Sequence, residues 1–201
     1  MAQAIEYSGP KLTHEVDVER YLRDCPPHAT TRGTFFKYVR EAVEKKVGAD
    51  PRLLTGLTNT DWMAFRKYPL REFMQLSVNA ARIAHGEEAI SEGLRRVGWL
   101  AFPSFAATMA GRVVLFAFGE RLENVVSAMP KAYFVAVPGT VVETAELGAR
   151  LYRVTMRNVY NFVDTYHLGV LEGAVLAMGY QPLINVEVGE RPCDAVFEGG
   201  W

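Results

Sequence analysis

Cysteine is scarce in this chain of 201 residues, which has only Cys25 and Cys193, near opposite ends. Neither belongs to a CxxC pair or to another spacing that is typical of zinc ligands. The sequence therefore predicts two free thiols that are buried or half-buried. Because free thiols are typical of a reducing compartment, we expect a cytoplasmic protein.

Long apolar runs are absent too. The longest, residues 97–118, is interrupted by Pro103, Ser104, Gly111 and Arg112, whereas a membrane-spanning helix needs about 20 mainly apolar residues. The N-terminus lacks the basic start and apolar segment of a signal peptide. We expect neither a membrane span nor a secretion signal.

Neither sign of charge dominates, since 22 Lys and Arg face 23 Asp and Glu and the formal net charge is -1. The basic residues are spread along the sequence. A protein that binds nucleic acid through phosphates normally concentrates them in a stripe or tail. Nucleic acid is therefore not an expected partner.

Motifs that mark enzymes are missing as well: the sequence contains no GxSxG, GxxxxGK[ST], HExxH or GxGxxG. Asp164 and His167 lie three apart on a predicted helix, where Glu143 or Glu172 would have to complete a metal site. Solvent-facing polar residues are the better interpretation of this spacing. We therefore predict neither a catalytic nor a metal site, and not an enzyme.

Hydrophobic periodicity predicts an α+β fold in one domain, residues 1–201. Helical spacing covers 15–24, 30–47, 69–85, 87–118 with a break near 99–104, and 122–129 before Pro130. Two-residue alternation predicts hairpins at 139–157, turning at 147–148, and at 184–197, with a helix at 162–178 between them. A helical half, about 14–134, would thus pack on a small antiparallel sheet with β-β-α-β-β order, about 139–201. A small-residue ridge on the last helix, Gly169, Gly173 and Ala177, would pack against that sheet.

One group of candidate ligand-binding residues is basic. Arg153, Thr155 and Arg157 alternate along a predicted strand and so point to one side, with Arg150 nearby. Such an edge suits an anionic ligand group or an acidic partner. The alternative, which we favour, is a solvated sheet face on which glutamates pair with the arginines.

The other group is apolar. Phe105, Met109, Tyr133 and Met156 suit an apolar ligand cavity, although an ordinary core uses the same residue types and is the stronger expectation. With the two arginines they complete the candidate ligand-binding set: Phe105, Met109, Tyr133, Arg153, Met156 and Arg157.

Several segments resemble a large paralogous family of uncharacterised myxobacterial proteins of about this length. They are Arg-Gly-Thr-Phe-Phe at 32–36, Tyr-Pro-Leu at 68–70, Glu-Gly-Leu-Arg-Arg-Val-Gly at 92–98, Asn-Phe-Val-Asp at 161–164, Gly-Val-Leu-Glu-Gly at 169–173, and Trp201. The resemblance spans nearly the whole chain and implies no established activity.

The closing strand and helix order resembles, more remotely, the superfamily of 4-vinyl-reductase-type domains, haem-based nitric-oxide sensors and vesicle-tethering subunits. The haem sensors use an axial histidine before the sheet and a Tyr-x-Ser-x-Arg strand. Here residues 122–134 contain no histidine. In the strand, Arg153 replaces the tyrosine, whereas Thr155 resembles the serine and Arg157 matches the arginine. Haem held in that way is not expected, although Tyr133 and Met129 are residue types that ligate iron.

These observations favour a non-enzymatic sensory or regulatory domain that binds a small apolar or anionic ligand of unknown identity. The alternative is an interaction module, a homodimer or an adaptor, that binds no ligand and uses an exposed apolar patch or sheet edge.

Overall fold

Helices come first in this chain and the main sheet comes last. The computed structural model describes residues 12, 15–107, 112 and 121–201. In chain order the elements are α1 (Val18–Asp24), β1 (Thr30–Arg32), α2 (Gly33–Val47), β2 (Lys67–Pro69), α3 (Leu70–His85), α4 (Ile90–Trp99), α5 (Ala101–Ala107), α6 (Leu122–Ala136), β3 (Val141–Gly148), β4 (Leu151–Arg157), α7 (Tyr166–Ala177), β5 (Leu183–Val188) and β6 (Ala195–Gly200). The α+β class and the β-β-α-β-β order are confirmed.

The main sheet is antiparallel throughout, with strand order β3-β4-β6-β5. Its alternation is the predicted one: on β4, Tyr152 and Val154 are buried while Leu151 and Arg153 are exposed. The first hairpin turns at residues 149–150, two residues later than predicted, where Arg150 has a φ of 58°.

A second, two-stranded sheet was not predicted. Residues 30–32 were expected to begin a helix, but they form β1 and pair with β2, with Thr31 opposite Tyr68. The helix α2 therefore begins at Gly33. The β-branched Thr30 and Thr31 favour an extended chain, and a pairing partner more than thirty residues away decides the outcome.

Prolines act differently at the three predicted boundaries. The expected break in residues 87–118 is present at Leu100, between α4 and α5. Residues 108–111 and 113–118 of that prediction lie outside the described chain. At residue 69, proline ends β2 directly before α3 begins. The prediction that Pro130 ends a helix is wrong, because α6 continues to Ala136. The buried Leu122 and Val126 before the proline and the partly buried Tyr133 after it pack on the sheet side of the molecule. This packing offsets the lost backbone hydrogen bond.

The helix α7 lies between the two buried apolar clusters of the described chain. Phe162 and Tyr166 belong to the cluster of α1 to α4, whereas Leu168, Leu171 and Val175 belong to the cluster of α6 and the main sheet. A helix that is apolar on all sides is expected to be buried on all sides. None of the helices in the described residues is long and apolar enough to cross a membrane.

Candidate functional site

The crossing of α4 and α7 is unusually close because glycines line it. A Cβ placed on Gly169 would lie 2.7 Å from the carbonyl carbon of Arg95, and one on Gly173 would lie 2.8 Å from Cα of Trp99. One on Gly98 would lie 3.0 Å from the carbonyl carbon of Tyr166. The prediction that the glycine ridge packs against the sheet is therefore wrong. The ridge packs against α4, and Ala177 at its end is exposed.

A buried ion pair joins the same two helices. The Nε of Arg95 donates a hydrogen bond of 2.7 Å to Oε2 of Glu172, and its Nη2 pairs with Oε1. Trp99 on α4 donates a third, from Nε1 to Oε2, at 2.8 Å. Glu172 is fully buried. Because both carboxylate oxygens accept bonds from α4, Glu172 stabilises the helix crossing and is not available as a metal ligand.

Asp164 and His167 are buried, so the prediction that they face solvent is wrong. Tyr21 of α1 donates a hydrogen bond of 2.9 Å to Oδ1 of Asp164. Oη of Tyr133 on α6 and Nδ1 of His167 lie 3.0 Å apart. Burial lowers the pKa of His167 to about 3, so its ring is neutral at ordinary pH.

The two residues thus bond to different helices. Across the described residues, no group of three or more His, Cys, Asp and Glu side chains is placed to hold a metal ion.

A cavity of about 50 Å³ lies between α6, the main sheet and α7. Its walls are almost entirely apolar. They are formed by Leu122, Val125, Val126 and Met129 of α6, by Leu171, Ala174 and Val175 of α7, and by Tyr152, Val154, Ile184, Phe197, Gly199, Gly200 and Trp201 of the sheet and its end. The rings of Tyr152 and Trp201 stack at one end, with centroids 5.5 Å apart.

The predicted ligand-binding residues do not meet at this cavity. Met156 is fully buried in the core beside it, and Tyr133 is half-buried against His167. Phe105 lies on α5, but its side chain and the whole of Met109 lie outside the described residues.

Arg153 and Arg157 point to the opposite, outer face of β4. Arg153 pairs with Glu198 at 2.6 Å and Arg157 with Glu143 at 3.3 Å, with about half of each arginine side chain exposed. This is the arrangement of the favoured alternative, a solvated sheet face with glutamates. The structure does not bring the arginines together with Met156.

Sequence reasoning missed most of the cavity wall. Two features of the sequence do indicate wall residues. They are the inward positions of β4, Tyr152 and Val154, and the four-residue spacing of Leu171 and Val175 on α7. What the spacing does not give is the gap between the surfaces, because a void depends on how three elements approach one another.

Solved structures of H-NOX proteins share this fold. Fe(II) unliganded H-NOX from K. algicida is 15% identical, with a TM-score of 0.64 over 84% of this chain and 95% of that one. H-NOX from S. oneidensis in the Fe(II)NO state is 11% identical, with a TM-score of 0.68 over 84% and 97%. A mutant of T. tengcongensis H-NOX is 16% identical, with a TM-score of 0.66 over 84% and 94%. At such identities the likeness concerns the fold alone.

The described residues of this chain do not provide the axial histidine and the strand arginine that would hold a haem. The helix α6 carries no histidine, and Nδ1 of the buried His167 is bonded to Tyr133. Arg157 faces solvent beside Glu143. Met129 does line the cavity, but a space of about 50 Å³ is far below the roughly 300–1,000 Å³ of sites for larger ligands.

Sequence comparison supplies the family. No curated protein matches the chain. The family described as "Protein of unknown function (DUF2378)" matches residues 26–197, which is most of the chain. The expected membership in a family without an assigned activity is thereby confirmed: the chain belongs to the DUF2378 family.

Proposed function

We propose that this chain is a non-enzymatic sensory or regulatory domain that binds a small, mainly apolar ligand between α6, the main sheet and α7. The observation that carries the proposal is the apolar cavity of about 50 Å³ at this place. Well-packed cores leave few voids larger than a water molecule. Apolar voids stay dry and take up small apolar molecules.

The size and chemistry of the walls restrict the ligand. Leu171, Val175 and Phe197 offer dispersion contacts but no charge, so an ionised group would lose its hydration without compensation. The arginines of β4 lie on the other face. The ligand class that fits is therefore a compact uncharged molecule of a few heavy atoms.

The H-NOX likeness supports the same type of role. Those H-NOX proteins were solved in Fe(II) and Fe(II)NO states, and one structure addresses haem distortion in the family. We extend to this chain only the idea of a small ligand held by the shared fold. We also propose a cytoplasmic location, since Cys25 and Cys193 are both free and buried.

Native mass spectrometry with an absorption spectrum on the same sample is the first test. Mass beyond the 22.4 kDa chain is expected if the ligand copurifies. Because a ligand can be lost on purification, xenon serves as a small apolar probe, and its binding is measured by the rise in the unfolding midpoint under xenon pressure.

A matched pair of variants locates the effect. Ala174 lines the cavity, whereas Ala177, three residues later on α7, is exposed. Ala174→Phe fills the space and should abolish the xenon shift; Ala177→Phe should keep it. If neither added mass nor a xenon shift is seen with the wild-type chain, the cavity is not a ligand site.

A second candidate function is an interaction module, and one observation favours it. On the outer sheet face, Leu151 and Leu183 both stand opposite Gly200 in the register and are 43% and 74% exposed. Exposed apolar patches of this kind mark protein contacts. A dimer mass that Leu183→Lys removes would support this function over the first.

A further inference from the structure

A turn that precedes β2 presents two large apolar side chains to solvent. Phe65 is 86% exposed and Met63 is 66% exposed. Between them Ala64 is half-buried, and before them Trp62 is buried. Single exposed apolar residues are ordinary on protein surfaces, but two of this size at the tip of one turn form a local apolar projection.

Packing and hydrogen bonds fix the backbone of this turn. Trp62 stacks on Phe36 of α2, with centroids 5.0 Å apart. The backbone N–H of Arg66 donates to Met63 O at 3.1 Å and so closes the turn. The N–H of Met63 donates to Oη of Tyr68 at 2.8 Å.

The start of α2 adds two more bonds, because the N–H groups of Gly33 and Thr34 donate to the carbonyl oxygens of Arg66 and Ala64 at 2.9 and 3.0 Å. A side chain at residue 33 would collide with the turn, since a Cβ there would lie 2.8 Å from the ring of Tyr68. The backbone that carries the exposed pair is therefore fixed by hydrogen bonds and packing to the rest of the fold.

Three cations lie next to the apolar tip, on its β1–β2 side. Arg66 and Lys67 follow Phe65 directly and are exposed, and Arg32 stands opposite Lys67 in the β1–β2 pair. None of these three cations takes part in an ion pair within the described part of the chain. Among residues 60–67, the acidic residue is Asp61.

We propose that this turn, with Met63 and Phe65 inserted and Arg66, Lys67 and Arg32 at the headgroups, docks the protein on an anionic lipid surface. The tip projects instead of forming a groove, so it suits a penetrable surface better than a protein ridge. Apolar side chains backed by cations are the combination that binds the boundary between headgroups and acyl chains. The proposal is independent of the cavity.

Vesicle cosedimentation tests it with the full chain. Vesicles of phosphatidylcholine with roughly one-third phosphatidylserine should bind the protein, and pure phosphatidylcholine vesicles should bind it far less, because each Lys or Arg near an anionic surface adds roughly fivefold to the partition coefficient. Equal binding to both kinds of vesicle, or none to the anionic ones, would overturn the proposal.

Exposed positions allow variants that leave the core intact. Met63→Ser with Phe65→Ser should lower the partition coefficient at least tenfold. The control, Phe134→Ser with Val47→Ser, changes two exposed apolar side chains elsewhere on the protein and should not. A tip variant that binds vesicles like the wild-type chain would overturn the proposal.

Charge is tested in the same way. Arg66→Glu with Lys67→Glu should remove binding to anionic vesicles, and Lys45→Glu with Lys131→Glu makes the same charge change at distant exposed sites and should reduce it only slightly. If the tip variants instead abolish a dimer seen by native mass spectrometry and vesicle binding is unchanged, a second copy is the occupant and the lipid proposal fails.

Discussion

Replacing Gly169 by alanine adds one methyl group at the crossing of α4 and α7. In an open helix this change would stabilise the fold by about 1 kcal/mol, because alanine is the better helix former. Here the new Cβ would lie 2.7 Å from the carbonyl carbon of Arg95 and closer still to its oxygen. The two helices would have to separate by roughly 1 Å, and overpacking against rigid backbone costs about 3 kcal/mol.

The net expectation is a loss of about 2 kcal/mol in the free energy of unfolding, or about 4–8 °C in Tm for a chain of this size. Urea unfolding followed by far-UV circular dichroism measures it. Gly148→Ala is the control, since a Cβ there meets nothing within 4 Å. If Gly169→Ala raised the midpoint by the helix-forming gain, the close crossing of α4 and α7 would be refuted.

Two further predictions concern the buried polar groups. Glu172→Gln keeps the shape of the side chain but removes the negative charge that pairs with the buried Arg95. Glu92, at 3.5 Å from Arg95, compensates in part. The free energy of unfolding, measured in urea, should therefore fall by about 3 kcal/mol, near the lower end of the usual range for a broken buried pair. An unchanged midpoint would contradict the buried pair. His167 has a pKa lowered to about 3 by burial, so the unfolded chain binds the proton more readily, and the stabilising contribution is present above about pH 6.5 and is lost as the pH falls towards 3. Between pH 7 and 5 this group should lower the free energy of unfolding by about 2 kcal/mol. The fall should be smaller in His167→Gln, whereas the control variant His28→Gln, at an exposed position, should show the same fall as the wild-type chain. Equal falls in all three proteins would show that His167 is not buried as described.

Much of the fold follows from the sequence alone. The helix α3 and both hairpins were predicted within a few residues, because apolar spacing of 3.6 or 2 residues reports directly which face of a local element is buried. Free buried cysteines and the helix break near Leu100 were predicted for similarly local reasons. Alternation also predicted that Arg153 and Arg157 share one face of β4, but whether that face lines a pocket or meets solvent was left open until the structure showed it exposed.

What the sequence could not decide is which surface each face meets. The spacing of Gly169 and Gly173 shows a close approach, but only the assembled helices show that the neighbour is α4 and not the sheet. Likewise, Asp164 was predicted to face solvent because it is a charged residue without a recognisable partner in the sequence. Its carboxylate is buried because Tyr21, 143 positions away, donates a hydrogen bond to it.

The candidate site depends on tertiary structure even more strongly. Sequence supplies apolar residues for a core and for a cavity alike, and the two differ only in whether the surfaces meet completely. The void beside Met129 and Ala174 exists because α6, α7 and the sheet approach one another incompletely there. The exposure of Phe65 is decided in the same way, since the fold covers Trp62 with α2 and leaves the next aromatic residue in solvent.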